Sequence, residues 1–559
     1  MRQILLGFSA LTLAGAPMTV ADATSAMGVF SAICSQAAAT VGATASPEDM
    51  RIVSGFGTGG FKADTDNAEA QTWFDHAMRL RWAFEHEEAV RAFQKAQRLD
   101  PNCGMCVWGE AWAMGANLNY NVPQATQARA LAIAERARRL SADAPAWQRK
   151  LVDATVRRYR GPPARRAVNF ARSLERIQRQ HPEELQLRTL AADALLMANR
   201  NWWSADGRIP GEGVDRAISL IESALAQNPD DPGAIHLYIH STEWSADPYR
   251  AVPYADRLAG LTPGSPHLVH MPSHTYYRIG RYKDATTANV GAVRAAQRYH
   301  GISPAPEGLT SIGIHNHNIH FGMAGALMAG DAEGGLFLAG HFFEAYPLDQ
   351  LRNPFGQIVA GTALVNQARF GDPDVVLAFD DPGADYWGLR VMRHYARGEL
   401  RARQGDADAL EAELAGLREA KTGVPQPTTP FGRMASIVLS IPEKVLAGRL
   451  ALLRGDEEAA VTAFREAAEL QASMNLGRDP PLWWYPTRRS LGAALIAAGR
   501  LDEAKAELER SLEYAPHDPL TLYALSEVAE RRGDRAEQSR LLAEARREWR
   551  GGDFSLGMV

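Results

Sequence analysis

Small and apolar residues recur along this chain at spacings that predict pairs of α-helices. In the stretch that begins at Ala70, positions 4, 8, 11, 20, 24, 27 and 32 are occupied by Trp73, Ala77, Leu80, Ala89, Phe93, Ala96 and Pro101. The small residues at positions 8, 20 and 27 allow two antiparallel helices to pack closely against each other. The stretch therefore predicts one helix–turn–helix unit.

The same frame recurs further along the chain. A second good match begins at Tyr485, where the frame is kept by Leu491, Gly492, Leu495, Ala504, Leu508 and Pro516. Partial matches begin at Ala198, Pro232, Pro266, Asn316 and Ile441. Because one unit alone cannot bury its apolar face, stacked neighbours must supply a continuous core. The pattern predicts an all-α solenoid of antiparallel helix pairs, with irregular connections where the frame is lost.

This spacing resembles the tetratricopeptide repeat (TPR). Three longer stretches resemble a group of exported bacterial TPR proteins: DPNCGMCVWG with GANLN at residues 100–109 and 115–119, HLVHMPSH at residues 267–274, and WYPTRRSLGAAL at residues 484–495. The resemblance covers most of the chain after residue 60. It implies a TPR-type α-solenoid and export, and it carries no settled activity.

The N-terminus has the pattern of a signal peptide. Arg2 supplies a positive charge, residues 4–16 are mostly apolar, and Ala21-Asp22-Ala23 has the small-x-small form of a cleavage site. We therefore expect a signal peptide at 1–23 and a periplasmic or secreted protein. The remaining boundaries predicted are a lead-in at 24–68, an N-terminal TPR solenoid at 69–350, an irregular helical connection at 351–440, and C-terminal TPR units at 441–550.

Composition narrows the classes of partner. The 559 residues are 46% hydrophobic and 22% charged, with a formal net charge of -5. No sustained basic stripe is present, so nothing predicts binding to nucleic acid. No stretch after the N-terminus approaches the roughly 20 apolar residues that a transmembrane helix needs.

The three cysteines do not form a recognisable metal motif. They are Cys34, Cys103 and Cys106, and the C-x-x-C at 103–106 opens a helix without the second pair that a zinc site would need. Small packed thiols or a local Cys103–Cys106 disulfide are both consistent with the spacing.

Histidines carry the strongest chemical signal. Nine of the 15 fall between residues 236 and 320. His236 and His270 are one 34-residue repeat apart, as are His240 and His274, and each pair four residues apart shares a helix face. In the TPR family, positions 2, 5, 9 and 12 of the first helix line the concave groove. The residues that the frame places there are His236, His240, Glu243, His267, His270, His274, His317 and His320.

We interpret these eight residues as a metal site in the groove. Imidazole suits zinc, copper, iron and nickel, and we expect zinc or copper first and iron next. One ion with additional histidines and two ions are both compatible with the number of ligands. A groove that binds an acidic peptide or small anion is one alternative, and histidines that only pack or lie on the surface are another. The histidines for which we expect no special role are His76, His86, His181, His300, His341, His394 and His517, and His315 is intermediate.

Two functions follow from this interpretation. In the first, the metal makes the protein a metalloenzyme, hydrolytic or redox, with Glu243 as a candidate acid–base residue. In the second, the chain is a non-catalytic TPR scaffold that binds a peptide, protein or small-molecule ligand in its groove. The sequence carries no G-x-S-x-G, P-loop or H-E-x-x-H motif that would decide for catalysis.

Overall fold

The computed structural model of the protein describes residues 46–118, 121–305, 308–425, 430–474 and 480–559. The predicted signal peptide and Cys34 lie outside these ranges. In the described residues the chain folds into α-helices joined by turns, and the β-structure there is one isolated bridge between Trp203 and Pro210. The short 3₁₀-helices are Pro47–Asp49, Ser141–Asp143, Pro248–Ala251, Leu309–Ser311, Leu348–Leu351, Ala384–Tyr386 and Leu556–Met558.

The α-helices follow one another from Ala68 to Glu548. They are α1 (Ala68–Trp82), α2 (His86–Leu99), α3 (Gly104–Ala113), α4 (Gln124–Leu140), α5 (Ala146–Tyr159), α6 (Pro163–Gln180), α7 (Leu185–Ala198), α8 (Val214–Gln227), α9 (Pro232–Thr242), α10 (Val252–Leu261), α11 (Pro266–His270), α12 (Pro272–Arg278), α13 (Tyr282–Ile302), α14 (His315–Ala329), α15 (Ala332–Ala345), α16 (Pro354–Phe370), α17 (Pro373–Leu377), α18 (Trp387–Gln404), α19 (Ala407–Thr422), α20 (Pro430–Val438), α21 (Ile441–Leu453), α22 (Glu457–Ser473), α23 (Arg488–Ala497), α24 (Leu501–Tyr514), α25 (Pro519–Arg531) and α26 (Arg535–Glu548).

Helices that follow one another pack together as pairs, which confirms the predicted all-α, TPR-type solenoid. In the first unit, α1 and α2 meet through Ala77, Ala89 and Ala96, and all three side chains are fully buried. These are the small residues at positions 8, 20 and 27 of the frame. The short connections between the helices hold each pair antiparallel.

Close helix contact in the C-terminal units depends on glycine at position 8. A Cβ added at Gly492 of α23 would lie 2.4 Å from a side-chain carbon of Leu508 in α24. The equivalent Cβ at Gly448 of α21 would lie 2.6 Å from the ring of Phe464 in α22. A larger residue at position 8 would therefore push the two helices of the unit apart.

Residues 351–440, predicted as an irregular helical connection, contain the long helices α16, α18 and α19. Helix α18 packs against both α16 and α19, and α18 also contacts α21 of the C-terminal units. In the described part of the chain, no helix is both long and apolar enough to cross a membrane.

Two of the histidine-bearing helices begin in the same way. The Asp231 carboxylate accepts a hydrogen bond from the Ala234 N–H at the start of α9, and the Ser265 hydroxyl accepts one from the Leu268 N–H at the start of α11. In both helices a proline follows the capping residue, at the position where its missing N–H is best tolerated. Because both helices begin with a capping side chain followed by proline, equivalent positions of α9 and α11 point in the same direction. Their histidines therefore face the same side of the solenoid.

Candidate metal centre

The structure buries all eight predicted site residues and brings seven of them together. None of the eight is more than 6% exposed. Six histidines form two groups of three whose ligand atoms could each hold one ion: His236, His240 and His267, and His270, His274 and His317. The seventh residue of the assembly is Glu243. His320 stays apart from these groups, and its ring lies edge-on to Phe355 at 5.8 Å between ring centres.

The first triad consists of His236, His240 and His267. The Nε2 atoms of His236 and His267 are 3.2 Å apart, and the rings of His236 and His240 are 4.9 Å apart. Phe84 covers this triad: its ring centre is 4.2 Å from that of His236 and 5.4 Å from that of His267. The triad is therefore a set of converging nitrogens behind an apolar ring.

The second triad consists of His270, His274 and His317. The Nε2 atoms of His270 and His274 are 2.9 Å apart, and the ring of His317 lies 4.9 Å from that of His270. Phe321 packs against this triad. Its ring centre lies 4.7 Å from that of His274 and 5.2 Å from that of His270. Both triads thus combine close nitrogens with an aromatic wall.

Glu243 connects the two triads. One carboxylate oxygen accepts from His240 Nδ1 at 3.0 Å, and the other accepts from His274 Nδ1 at 2.6 Å. Burial raises the pKa of Glu243, but the His274 and His240 imidazoles outweigh burial and hold the pKa well below its ordinary value. Glu243 is therefore ionised and anchors one histidine from each triad. The same three residues also form a group that could share an ion.

Hydrogen bonds at Nδ1 fix which nitrogen of each anchored ring carries the proton. His236 Nδ1 lies 2.6 Å from the carbonyl oxygen of Trp82, so this nitrogen must be the donor. His270 Nδ1 lies 2.6 Å from the side-chain oxygen of Asn289. The Asn289 amide nitrogen donates to the carbonyl of Ala285, which confirms that the oxygen faces the imidazole. With the proton on Nδ1, the Nε2 atom of each ring presents a lone pair.

Two Nε2 atoms face each other in the second triad. His270 is protonated at Nδ1 towards Asn289 and His274 at Nδ1 towards Glu243, yet their Nε2 atoms are only 2.9 Å apart. Burial, followed by the charge of neighbouring histidines, first of them His274, holds the pKa of His270 well below its ordinary range, so His270 keeps its Nε2 lone pair. That lone pair can accept either a proton carried by His274 Nε2 or a metal ion. The donor set fits a transition metal.

Nδ1 bonds of this kind are typical of metal-binding histidines. The second nitrogen of a ligand imidazole usually donates to a carbonyl, carboxylate or similar acceptor, which orients the ring. Four of the six triad histidines have such an acceptor: His236, His240, His270 and His274. These are the four histidines whose spacing matches the repeat.

Sequence analysis did not find several residues of this site. Trp82 ends α1 and Phe84 follows it, more than 150 residues before the first triad histidine that they contact, and Asn289 lies in α13. No local pattern marks them, because their role arises only when the helices pack.

A further histidine pair, His315 and His341, has its Nε2 atoms 2.8 Å apart, although His341 was expected to have no special role.

The remaining cysteines are bonded to each other. Cys103 and Cys106 form a disulfide at the start of α3. Of the two alternatives that the spacing left open, this structure has the local disulfide.

Comparison with known proteins supports the repeat and gives no activity. A family model described as tetratricopeptide repeat matches residues 490–518. No curated protein matches the chain. Among solved structures, the human IFIT1 dimer with m7Gppp-AAAA is 13% identical, covers 79% of this chain and 90% of its own, and has a TM-score of 0.33. Yeast Tom70 is 12% identical, with coverages of 86% and 92% and a TM-score of 0.27. Likenesses this low say nothing about what this chain binds.

Proposed function

We propose that this protein is a TPR solenoid that holds two transition-metal ions, one in each histidine triad. The observation that carries the proposal is the convergence of six buried histidine nitrogens into two groups of three, each close enough to hold one ion. Four of these rings bond an acceptor through Nδ1, which leaves Nε2 as the ligand atom.

The distances between nitrogens agree with ligation. Metal–nitrogen bonds of about 2.0–2.1 Å place two ligand nitrogens about 3.4 Å apart in tetrahedral geometry and about 2.9 Å apart at right angles. The observed separations of 2.9 Å for His270–His274 and 3.2 Å for His236–His267 fall within or close to this range. An N–H···N hydrogen bond spans the same distance, as the His315–His341 pair at 2.8 Å illustrates, so the convergence of three nitrogens carries more weight than either distance.

The donor set favours zinc or copper, with iron as the next candidate, because imidazole suits these ions and hard cations prefer oxygen. Burial keeps the rings neutral, which is the form that binds metal: it lowers the pKa of His236, His267 and His317 well below the ordinary value. An ion held by three imidazoles retains an open position and can act as a Lewis acid or, for copper and iron, as a redox centre.

The shape of the site favours a small molecule such as water or dioxygen as the additional ligand. Every triad histidine is at most 6% exposed, and Phe84 and Phe321 cover the two triads. Glu243 is committed to His240 and His274, so we assign it the role of an anchor for both rings instead of a free acid–base residue.

The proposal includes export to an oxidising compartment. The N-terminal pattern of residues 1–23 supports it, and so does the Cys103–Cys106 disulfide, since such bonds persist in secreted and periplasmic proteins.

Elemental analysis of the purified protein tests the metal assignment. We expect about two ions of zinc, copper or iron per chain by inductively coupled plasma mass spectrometry, the number that two open three-histidine sites would hold. Changing His236 and His267 to Ala should remove the first ion only, and changing His270 and His317 to Ala should remove the second only. The double variant His240→Ala, His274→Ala takes one ligand from each triad and should remove both.

A matched control removes two histidines that lie outside the triads. His181→Ala with His517→Ala should leave the metal content unchanged, and circular dichroism should give the parent helix content for every variant. Unchanged metal content in the His240, His274 variant would refute the assignment. No metal in the parent, even after reconstitution, would leave a partner-binding scaffold as the function to pursue, since solenoids offer extended concave surfaces for binding.

A further inference from the structure

A deep cleft separates the histidine-bearing helices from the C-terminal units. Its volume is ≈ 640 Å³, within the range of small-molecule sites. One wall comes from residues 205–208, 244–249 and 277–278, and the other comes from residues 481–488 together with the ends of α22 and α24. None of the metal-centre histidines lines it, so the cleft is a separate feature.

Aromatic rings dominate the walls of the cleft. Trp483 and Trp484 stack at 4.5 Å between ring centres, and Tyr485 lies 5.5 Å from Trp484. Trp244 and Tyr277 face the cleft from the other wall. Rings of this kind, on two sides of a narrow space, bind a flat ring by stacking or by edge-to-face contact.

Large apolar side chains are also exposed at the rim. Tyr249 and Tyr514 line the cleft from opposite walls and are 51% and 63% exposed. Ile209, next to the lining residue Arg208, is 68% exposed. Exposed apolar groups that cluster around a cavity are typical of a ligand site.

One polar group in the cleft wall has no partner. Trp483 is only 1% exposed, and its Nε1–H makes no hydrogen bond within the described part of the chain. A buried indole N–H without an acceptor is unfavourable, and buried tryptophans usually have one. A ligand oxygen would supply the acceptor.

The charges around the cleft nearly cancel. Three arginines and two carboxylates line it, namely Arg208, Arg278, Arg488, Asp206 and Glu513. Arg488 also forms an ion pair with Glu507, and Arg278 Nε donates to the carbonyl oxygen of Glu243 at 2.9 Å. Because the charges balance, the cleft favours a neutral ligand over an anion.

We infer that the cleft binds a neutral small molecule with a planar aromatic ring and an oxygen acceptor, of the class of phenols and aryl ethers. The ring lies between the aromatic walls, and its oxygen accepts from Trp483 Nε1. This site is independent of the proposed metal function, although the two are neighbours. Tyr277 lines the cleft and lies 5.8 Å from the ring of Phe321, which in turn lies 4.7 Å from His274.

Saturation-transfer NMR with a matched pair of probes tests this inference. 2-Naphthol and decahydro-2-naphthol carry the same hydroxyl on the same carbon skeleton, but only the first is planar. We expect saturation transfer to 2-naphthol, and much weaker transfer to the saturated analogue. Cellobiose serves as a third probe, because stacked tryptophans also bind sugars. Each probe is measured with chelator-treated protein and with zinc-loaded protein.

Variants at the exposed rim locate the site without disturbing the core. Tyr249→Ala combined with Tyr514→Ala should weaken 2-naphthol binding at least about fivefold, from the loss of two aromatic contacts. Ile302→Ala combined with Val375→Ala removes two other exposed apolar side chains, 49% and 53% exposed, and should leave binding unchanged.

Five outcomes would overturn the inference. Binding of 2-naphthol that ignores the two tyrosines would place it elsewhere, and binding only with zinc would place it on the histidine centre. Equal binding of both naphthol probes would remove the requirement for a planar ring. Binding of cellobiose alone would assign the cleft to a carbohydrate, and binding of none of the probes would leave it without a ligand of this class. A protein that binds 2-naphthol but no metal would refute the metal proposal alone.

Discussion

The repeat unit that begins at Tyr485 and the unit that begins at Pro266 bury different polar groups at the same position. Position 5 is Arg489 in the first unit and His270 in the second. Arg489 lies 3.1 Å from both oxygens of Asp518, and its guanidinium lies 4.4 Å from the ring centre of Tyr485. The Asp518 carboxylate also accepts from the hydroxyl of Thr521 at 2.5 Å. In this unit each buried charge has its counterpart in the chain.

The histidine unit lacks that balance. The Nε2 atoms of His270 and His274 face one another, and among the described residues Glu243 is the carboxylate that binds two of the rings. One repeat frame can therefore bury either an ion pair that is neutral within the chain or a cluster of imidazoles whose nitrogens converge. Under the proposed function, the first arrangement depends only on the chain, whereas the second also depends on a metal ion from solution.

The largest effect on stability is expected from removing the arginine of the buried Arg489–Asp518 ion pair. Arg489→Met would leave Asp518 buried without its cation, and we expect the free energy of unfolding to fall by about 3–5 kcal/mol. Urea denaturation, followed by circular dichroism, measures this change in the free energy of unfolding. Metal content should stay at the parent value, because Arg489 is in none of the ligand groups formed by the described residues.

The control for this variant is Arg540→Met. Arg540 is paired with Glu537 and Glu544 but its side chain is 58% exposed, so the change should alter the free energy of unfolding by at most about 1 kcal/mol. Similar effects of the two substitutions would contradict the view that the buried pair at position 5 stabilises its unit.

Sequence alone predicted the fold and much of the clustering of side chains in the candidate site, because both follow the 34-residue repeat. The 34-residue repeat and the helical spacing of four place His236, His240, His270 and His274 on one face, and the common cap–proline start of α9 and α11 keeps them in phase. A repeat of this kind can be recognised in the sequence without knowing which distant residues are in contact.

His320 marks the limit of the period. It occupies position 5 of the unit that begins at Asn316, yet it contacts Phe355 and stays outside the triads. Helix α14 follows Gly313 and Ile314, which both have positive φ, instead of a cap and a proline. The frame still holds at position 2 of this unit, because His317 joins the second triad, so the sequence places one histidine of α14 correctly and misplaces the other. The contacts of Phe84 and Asn289 could not be predicted either, since they depend on how non-consecutive segments pack.

A second prediction concerns a buried histidine outside the centre. Burial lowers the pKa of His76 to about 3, against about 6.5 in an unfolded chain. Between these values the unfolded chain binds a proton that the folded chain does not. Acidification from pH 7 to pH 4 should therefore lower the free energy of unfolding by about 3 kcal/mol through this residue.

His76→Leu removes that contribution. In metal-free protein, the variant should be close to the parent at pH 7 and more stable than the parent at pH 4 by about 3 kcal/mol, as measured by urea denaturation at both values. Zinc should not restore the loss in the parent, because His76 belongs to none of the ligand groups of the described residues. A difference between variant and parent that is the same at both pH values would contradict the assignment.

The smallest predicted effect isolates the role of hydrogen bonds around the second triad. Asn289→Leu removes the acceptor that holds the proton of His270 at Nδ1, and we expect zinc affinity at this triad to fall by about 10–100-fold. Asn366→Leu is a matched control. Both asparagines are fully buried and donate to the carbonyl four residues earlier, at 2.8 Å and 2.9 Å, but the Asn366 oxygen has no partner among the described residues. Competition titration with a chelating indicator should therefore separate the two variants, because only Asn289 orients a ligand. Equal affinities would mean that Asn289 supports the helix and not the metal.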